Sequence, residues 1–238
     1  MSGHSKWSTI KRKKGELDAA RGKVFQKLAK EIFVAAKSGD PNPDNNPTLR
    51  MVIEKARAQN MPKDNIQKAI DKASGAGNAE NFESIRYEGY GPSGVAFMVD
   101  CLTDNKNRTA SMVRAAFTKR GGNLGTSGSV SYMFNRRGII VIPSSYDEEE
   151  MMMIALDNGA LDFESDDENY TITTEPDDFI KVKDALTNNG VEEFLVSEVT
   201  FIADNLIEVS DEVQEKVEKL IGALDDIDDV QDIYHNMA

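Results

Sequence analysis

Cysteine, histidine and tryptophan are scarce in this sequence of 238 residues, which contains one Cys, two His and one Trp. The single cysteine, Cys101, excludes an intrachain disulfide bond and a cysteine-rich zinc site. It lies in an apolar strand segment, where a thiol is typically buried and inert. His4 and His235 are distant in sequence, which argues against a histidine metal site and leaves few groups for proton transfer near neutral pH. We therefore expect no metal, no cofactor and no enzymatic activity.

Long hydrophobic runs are also missing. Apolar stretches such as Val95–Val99 and Ile139–Ile142 are far shorter than the ~20 residues that span a bilayer. The polar start of the chain has no signal-peptide core. These features predict a cytoplasmic protein without a membrane segment. A composition of 39% hydrophobic and 29% charged residues excludes a wholly disordered chain, and the length fits one large domain or two to three small ones.

Positive charge is in the minority, with 28 Lys and Arg against 41 Asp and Glu and a net charge of −13. Such a total argues against binding to nucleic acid, because phosphates repel an anionic protein. The charges are unevenly distributed, however. Residues 1–77 contain 16 basic and 8 acidic side chains, residues 78–138 contain 8 and 5, and residues 139–238 contain 4 and 28. This asymmetry indicates a basic interaction surface beside an acidic domain, although charge also keeps separate domains soluble.

The first 77 residues are predicted to form a three-helix bundle, as domain 1–77. Apolar residues between Phe25 and Ala36 recur at i, i+3, i+4 and i+7, the spacing of one helix face. Asn46 followed by Pro47 is a typical N-cap and first-turn pair for a second helix. A third amphipathic helix is predicted between residues 62 and 75.

The rest of the chain alternates strands and helices. Residues 137–204 have the order β-α-β-β-α-β, which is the ferredoxin-like split βαβ unit. Residues 78–136 and 205–238 supply ββαβ and αβ, so the C-terminal segment is predicted to return to a middle domain into which 137–204 is inserted. The expected fold class is α+β multidomain: an N-terminal three-helix bundle followed by two ferredoxin-like α/β domains, the last inserted into the middle one.

Local patterns predict further details of the α/β part. Gly89–Gly94 matches G-x-G-x-x-G, but an internal proline and the strand that follows favour a hairpin turn over a dinucleotide site. Strands are predicted at Ser129–Phe134 and Gly138–Ile142. Ser145, with Glu148 three residues later, predicts a capping box at the start of a helix.

An acidic cluster occupies the C-terminal region: Asp225, Asp226, Asp228, Asp229 and Asp232. Closely spaced carboxylates suggest calcium, but an EF-hand loop requires glycine at its sixth position and this segment lacks it. Nothing beyond the abundance of carboxylates supports a two-metal nuclease site. We therefore interpret the cluster as a solvated acidic edge.

Cations and one aromatic ring cluster near the N-terminus. They are Lys6, Trp7, Lys11, Arg12, Lys13, Lys14, Arg21 and Lys23, with Lys27 and Lys30 further along the first helix. Clustered cations neutralise phosphates and release counterions, and an aromatic ring can stack on an unpaired base. We interpret the cluster as a nucleic-acid-binding surface. The alternatives are a solvated, disordered arm for the first cations and, for Trp7, a side chain that only fixes the arm to the bundle.

A second basic patch is predicted in the middle domain. Arg114, Lys119 and Arg120 lie on or beside one helix, and the glycine-rich loop 121–128 follows. Glycine backbones allow phosphates to approach closely, yet such a loop equally serves as a plain strand connection. Both interpretations of this patch stay open.

Several short motifs resemble those of one family. They are Gly3-His4-Ser5-Lys6-Trp7, Arg21-Gly22-Lys23, Tyr87-Glu88-Gly89-Tyr90-Gly91-Pro92 and Gly121-Gly122-Asn123-Leu124-Gly125. On these residues, and over essentially its whole length, the chain resembles the YebC family, whose members are usually labelled probable transcriptional regulatory proteins. It is also similar to the mitochondrial translational activator of cytochrome oxidase subunit one.

The resemblance implies a helical N-terminal domain, two α/β domains and association with nucleic acid without catalysis. The functional surface that it implies is the basic one, namely Lys6, Lys11, Lys13, Lys14, Arg21 and Lys23. One position departs from the family: Ala20 stands where a lysine is common, and Glu16 is nearby, so the patch is weaker here.

Three functions remain open at this point. The first is a DNA-binding transcriptional regulator, with contacts directed to the backbone because no helix presents a clear set of base-reading side chains. The second is a ribosome-associated translation factor that binds ribosomal or transfer RNA and relieves stalls. The third is an adaptor whose acidic domain recruits a basic protein. The expected partners are nucleic acid and, in the second case, the ribosome, and a monomer is expected.

Overall fold

The computed structural model describes residues 21–75 and 81–238, which contain seven α-helices and two four-stranded antiparallel sheets. The helices are α1 (Arg21–Lys37), α2 (Pro47–Ala58), α3 (Lys63–Ser74), α4 (Lys106–Lys119), α5 (Glu148–Asp157), α6 (Phe179–Asn188) and α7 (Asp211–Asp225). The strands are β1 (Glu83–Tyr90), β2 (Ala96–Thr103), β3 (Asn123–Leu124), β4 (Phe134–Pro143), β5 (Ala160–Ser165), β6 (Asn169–Thr174), β7 (Val196–Ala203) and β8 (Val230–His235).

These elements form two compact units. In the described part of the chain, the large unit comprises residues 21–75, 81–131 and 208–237, and the small unit comprises residues 132–207 and Ala238. Residues 132–207 contain four Lys and Arg against 18 Asp and Glu. The strong acidity predicted for the second half of the chain is therefore concentrated in the small unit.

Helices α1, α2 and α3 of the large unit pack around a shared apolar core. The predicted face of α1 is confirmed, since Leu28, Ile32 and Ala36 are buried in that core. The predicted cap of α2 is also confirmed: Asn46 Oδ1 accepts a hydrogen bond from the N–H of Leu49 at 3.0 Å, and a proline opens the helix. An asparagine cap of this kind stabilises a helix by about 1 kcal/mol.

The sheet of the large unit has the strand order β3-β1-β2-β8. Strands β1 and β2 are antiparallel neighbours joined by a tight turn at Pro92–Gly94, so the G-x-G-x-x-G segment is a hairpin connection, as predicted. The core beneath the sheet is formed by strand and helix residues together, including Phe97, Val99, Phe117, Leu220 and Leu224. Helices α4 and α7 therefore cover the same face of this sheet.

The small unit has the predicted order β-α-β-β-α-β, from β4 to β7. Its sheet order is β5-β6-β4-β7, in which β6 lies between the two strands of the β4-α5-β5 unit. This is the arrangement of a split βαβ fold. Ile140, Ile172, Val182 and Leu186 are fully buried in its core.

The sheet of the large unit also contains a split βαβ arrangement, because β1 lies between β2 and β3, the two parallel strands that α4 connects. Its order along the chain differs from that of the small unit, since the enclosed strand β1 comes first and forms a hairpin with β2.

Two local predictions differ from the structure. The separate strands predicted at 129–134 and 138–142 are one strand, β4, which begins at Phe134 because the N–H groups of Val130 and Ser131 bind a side chain instead of a neighbouring strand. The cap of α5 is Asp147, whose carboxylate accepts from the N–H of Glu150 at 2.9 Å, and not Ser145. The division into three domains at 77, 136 and 204 stays a prediction.

Across the described ranges, each helix is too short or too polar to pass through a bilayer.

Cys101 lies on β2 and is buried in the core of the large unit. Burial, together with the nearby Asp100 and Asp229 carboxylates, raises the pKa of its thiol to about 12. Because the thiolate is the reactive form, we expect iodoacetamide at pH 8 to leave Cys101 unmodified in the native protein and to alkylate it once urea unfolds the chain. Mass spectrometry of timed samples measures both rates. Native-state alkylation as fast as that of a free cysteine would contradict the prediction.

Candidate nucleic-acid interface

The site residues predicted from the sequence are distributed over three parts of the chain. Lys6, Trp7, Lys11, Arg12, Lys13 and Lys14 lie outside the described residues. Arg21 is the first residue of α1, and Lys23, Lys27 and Lys30 follow on that helix. Arg114 and Lys119 belong to α4, and Arg120 is the C-cap residue of α4. All the described members belong to the large unit.

The lysines of α1 face the end of α7 within the large unit. Lys23 Nζ lies 2.9 Å from Asp226 Oδ1 and 3.9 Å from Asp225 Oδ2. Lys27 Nζ lies 2.5 Å from Asp225 Oδ1. We call these contacts the outer pairs, because the side chains of Asp225 and Asp226 are 49% and 83% exposed. Ion pairs of this exposure contribute about 0–1 kcal/mol each and are screened by salt.

Lys30, one helical turn further along α1, makes a much more enclosed set of contacts. Its Nζ donates to Asp229 Oδ1 at 3.2 Å and to the carbonyl oxygens of Leu102 and Asp228 at 3.2 and 3.0 Å. The ammonium group also lies 5.2 Å from the centre of the Phe82 ring. The side chain of Asp229 is only 7% exposed. We call this set the inner anchor.

Asp229 is the acceptor at the centre of the inner anchor. Its Oδ2 accepts hydrogen bonds from Arg108 Nη2 and the Thr109 hydroxyl, both at 2.8 Å, and from the Thr103 hydroxyl at 3.2 Å. Burial alone would raise the pKa of this carboxyl, but Arg108, Thr109 and Lys30 together lower it below its ordinary value. Asp229 therefore stays ionised and connects α1, α4, β2 and the start of β8.

The prediction of a solvated acidic edge is wrong for Asp229. Asp226 fits it, because most of its side chain is exposed. Asp229 instead has the burial and the set of donors of a structural carboxylate, which a pattern of acidic residues alone does not distinguish.

Lys119 and Arg120 line an open cleft of 510 Å³ in the large unit. The wall formed by α7 contributes Lys216 and Lys219, while Pro92 and Val213 supply apolar lining. Among the described residues that line the cleft, none is acidic. Lys216 and Lys219 also pair with Glu212 and Glu215 along α7, at 2.7 and 3.6 Å. Exposed i, i+4 pairs of this kind are worth about 0.3–0.5 kcal/mol, so an incoming anion can displace them.

The sequence did not indicate Lys216 and Lys219 as site residues, because each looks like half of an ordinary i, i+4 ion pair on an amphipathic helix. Their role in the cleft follows from the packing of α7 beside α4. Arg114, in contrast, is not among the residues that line the cleft. Burial raises the pKa of the Tyr87 hydroxyl, and the nearby positive charge of Arg114 partly offsets that rise.

The glycine-rich loop after α4 is held in place by one buried carboxylate. Glu88 Oε1 accepts from the N–H of Gly128, and Oε2 accepts from the N–H groups of Val130 and Ser131, each at 2.8 Å. Burial raises the pKa of Glu88, but these backbone donors outweigh it and leave the pKa below its ordinary value. At the start of the same loop, a Cβ on Gly122 would lie 2.7 Å from the Tyr90 carbonyl oxygen, so the loop can pack this closely only with glycine there.

The fold and these contacts define an α/β protein whose large unit carries clustered lysine and arginine side chains and whose small unit is acidic. Two family profiles match the sequence: "TACO1/YebC protein N-terminal domain" over residues 5–76 and "TACO1/YebC second and third domain" over residues 82–237. The chain therefore belongs to the TACO1/YebC family, and the resemblance read from the motifs is confirmed.

Relatives match over nearly the whole length. A probable transcriptional regulatory protein of Finegoldia magna is 55% identical, over 99% of this chain and 98% of its own. One from Geobacillus kaustophilus is 53% identical, over 100% of this chain and 97% of its own. Among solved structures, a conserved hypothetical protein from Aquifex aeolicus superposes with a TM-score of 0.80 at 45% identity, covering 93% of this chain and 92% of that one.

Proposed function

We propose that this protein is a non-enzymatic, cytoplasmic regulator of gene expression that binds nucleic acid through the large unit and the basic N-terminal segment. In this proposal, residues 1–77 form a basic nucleic-acid-binding domain, residues 78–136 and 205–238 form the middle domain, which contributes a further basic surface, and residues 137–204 form the inserted acidic domain. The names of the relatives, probable transcriptional regulatory proteins, agree with a role in regulation.

The cationic cleft is the observation that carries the proposal. Four cations, Lys119, Arg120, Lys216 and Lys219, line one open depression, and the remainder of its lining is small or apolar. Such a surface neutralises phosphates, and the described residues that line it include no amide or aromatic side chain of the kind that reads or stacks on bases. Binding should therefore be directed to the backbone and only weakly selective for sequence.

Replacing Lys119 and Arg120 with glutamate should weaken binding to nucleic acid by at least about tenfold at 50 mM salt, because two phosphate contacts become repulsive. Fluorescence anisotropy over a salt series measures this. If about five phosphates are neutralised by the wild type, log K falls with log salt at a slope near −4.5 on duplex DNA. The variant should have a slope shallower by about 1.8.

The matched control is Lys181→Glu with Lys183→Glu, which makes the same change in net charge on α6 of the acidic small unit. It should leave affinity nearly unchanged. Equal loss in both double variants would show that only the total charge matters and would contradict the assignment of the cleft.

The choice between DNA and RNA as target is tested by the same titrations with duplex DNA and structured RNA, alongside co-sedimentation with ribosomes. Tighter binding to duplex DNA at equal salt supports a transcriptional regulator. Tighter binding to RNA together with co-sedimentation supports the ribosome-associated alternative. Binding to neither polymer would refute the proposed function.

A further inference from the structure

The outer pairs and the inner anchor differ in how easily an external anion can replace them. Asp226 is 83% exposed, so little beyond the lysine contact is lost when its carboxylate moves away from Lys23. Asp229, at 7% exposure, accepts from four donors and cannot leave without removing the one carboxylate to which Lys30 donates among the described residues. Breaking a buried pair of that kind is strongly destabilising, whereas opening an exposed one is not.

The position of the outer carboxylates is unfavourable for α7 itself. Asp225 is the last residue of α7 and Asp226 is its C-cap residue. Negative charge at a helix C-terminus opposes the helix dipole, so neither residue stabilises its own helix. The contacts that offset this effect are those with Lys23 and Lys27.

We propose that Lys23 and Lys27 form a second phosphate-binding surface, and that Asp225 and Asp226 occupy it in the free protein in place of phosphates. A polyphosphate backbone displaces the two carboxylates and takes over the lysines, while the inner anchor keeps α1 attached to the large unit. Access to the surface is thus controlled by an internal competitor. This inference rests on the proposed function, because the ligand is the same nucleic-acid backbone.

Removing the competitor should strengthen binding. The double variant Asp225→Asn, Asp226→Asn should bind single-stranded RNA or duplex DNA about 3- to 10-fold more tightly than wild type at 50 mM salt, the range that two exposed ion pairs provide. The gain should shrink toward zero at high salt, where the internal pairs are already screened. Fluorescence anisotropy at several salt concentrations measures both effects.

The matched control is Asp64→Asn with Asp71→Asn, which removes two exposed negative charges from α3 without touching the α1 lysines. If general electrostatics were responsible, the control would gain as much affinity as the Asp225 and Asp226 variant. An equal gain in the two would overturn the proposal.

A second variant tests whether the gain in affinity comes from Lys23 and Lys27, the lysines that the aspartates cover in the free protein. Lys23→Ala with Lys27→Ala should reduce the affinity of wild type only slightly, but should abolish the gain when combined with the two aspartate substitutions. Inorganic polyphosphate, titrated in parallel, should show the same dependence, because the proposed recognition is of linked phosphates and not of bases.

The outcomes separate this inference from the proposed function. Wild-type binding without a gain in the aspartate variant, or a gain that persists without the two lysines, overturns the internal competitor and leaves the proposed function intact. Failure of both wild type and variant to bind any nucleic acid refutes the two together. Thermal unfolding of each variant, expected within a few degrees of wild type, confirms that affinity is compared between folded proteins.

Discussion

Replacing Asp229 with alanine is expected to lower the free energy of unfolding by about 3–5 kcal/mol. The substitution removes the common acceptor of Lys30, Arg108 and two threonine hydroxyls. Lys30 would then remain against the carbonyls of Leu102 and Asp228 without a neutralising charge. Urea denaturation followed by circular dichroism measures the loss.

Asp226→Ala is the control, since it removes a carboxylate from the same stretch of chain at a position that is mostly exposed. Its effect should stay below about 1 kcal/mol.

The pH dependence of stability gives an independent check of the role of Asp229. Because the pKa of Asp229 is lowered on folding, its contribution is present above the ordinary value of 3.8 and is lost as the pH falls through the folded-state pKa. The difference between wild type and Asp229→Ala should therefore shrink in acid. Equal effects of the two alanine variants at neutral pH would contradict the role of the inner anchor.

Glu88→Gln should destabilise the large unit by about 2–4 kcal/mol although the side chain keeps its size. The carboxylate has two oxygens, and both accept backbone N–H groups of the loop that ends at Ser131. An amide replaces one of those oxygens with an NH₂ group, which then faces a backbone donor. The buried donor loses its acceptor, and the attraction of a full negative charge is lost as well.

Amide hydrogen exchange locates the effect of Glu88→Gln. The amides of Gly128, Val130 and Ser131 should exchange much faster in the variant, while those in the core of the small unit should be unchanged. In wild type, the stabilisation by Glu88 is present above its ordinary pKa of 4.5 and is lost as the pH falls through the lowered folded-state value. Unaltered protection of the three amides would show that the carboxylate does not hold the loop.

The elements that the sequence predicted well are those determined by local chemistry. The apolar spacing around Leu28 and Ile32 predicts one buried helix face, and the helix has it. Asn46 followed by a proline predicts the N-cap of a helix from neighbouring residues alone, and the structure has that cap. The α5 cap was harder, because Ser145 and Asp147 both satisfy the local preference and only the path of the chain after β4 selects Asp147.

The contacts that define the candidate site could not be predicted in this way. Lys23 and Asp226 are 203 positions apart, and each belongs to a run of like charges that is equally typical of a solvated surface. Glu88 is 43 positions from Ser131, and nothing in its strand sets it apart from an exposed glutamate. Sequence periodicity reports which face is buried, but not which partner a buried charge has.

The long separation between Lys23 and Asp226 also has a consequence for synthesis. At roughly 5–20 residues per second, α1 leaves the ribosome about 10–40 s before the aspartates that will cover its lysines. Strand β8 follows these aspartates in the chain, so the sheet of the large unit acquires its fourth strand only after residues 132–207 have been made. Throughout that time Lys23 and Lys27 lack the two carboxylates with which they pair in the complete chain.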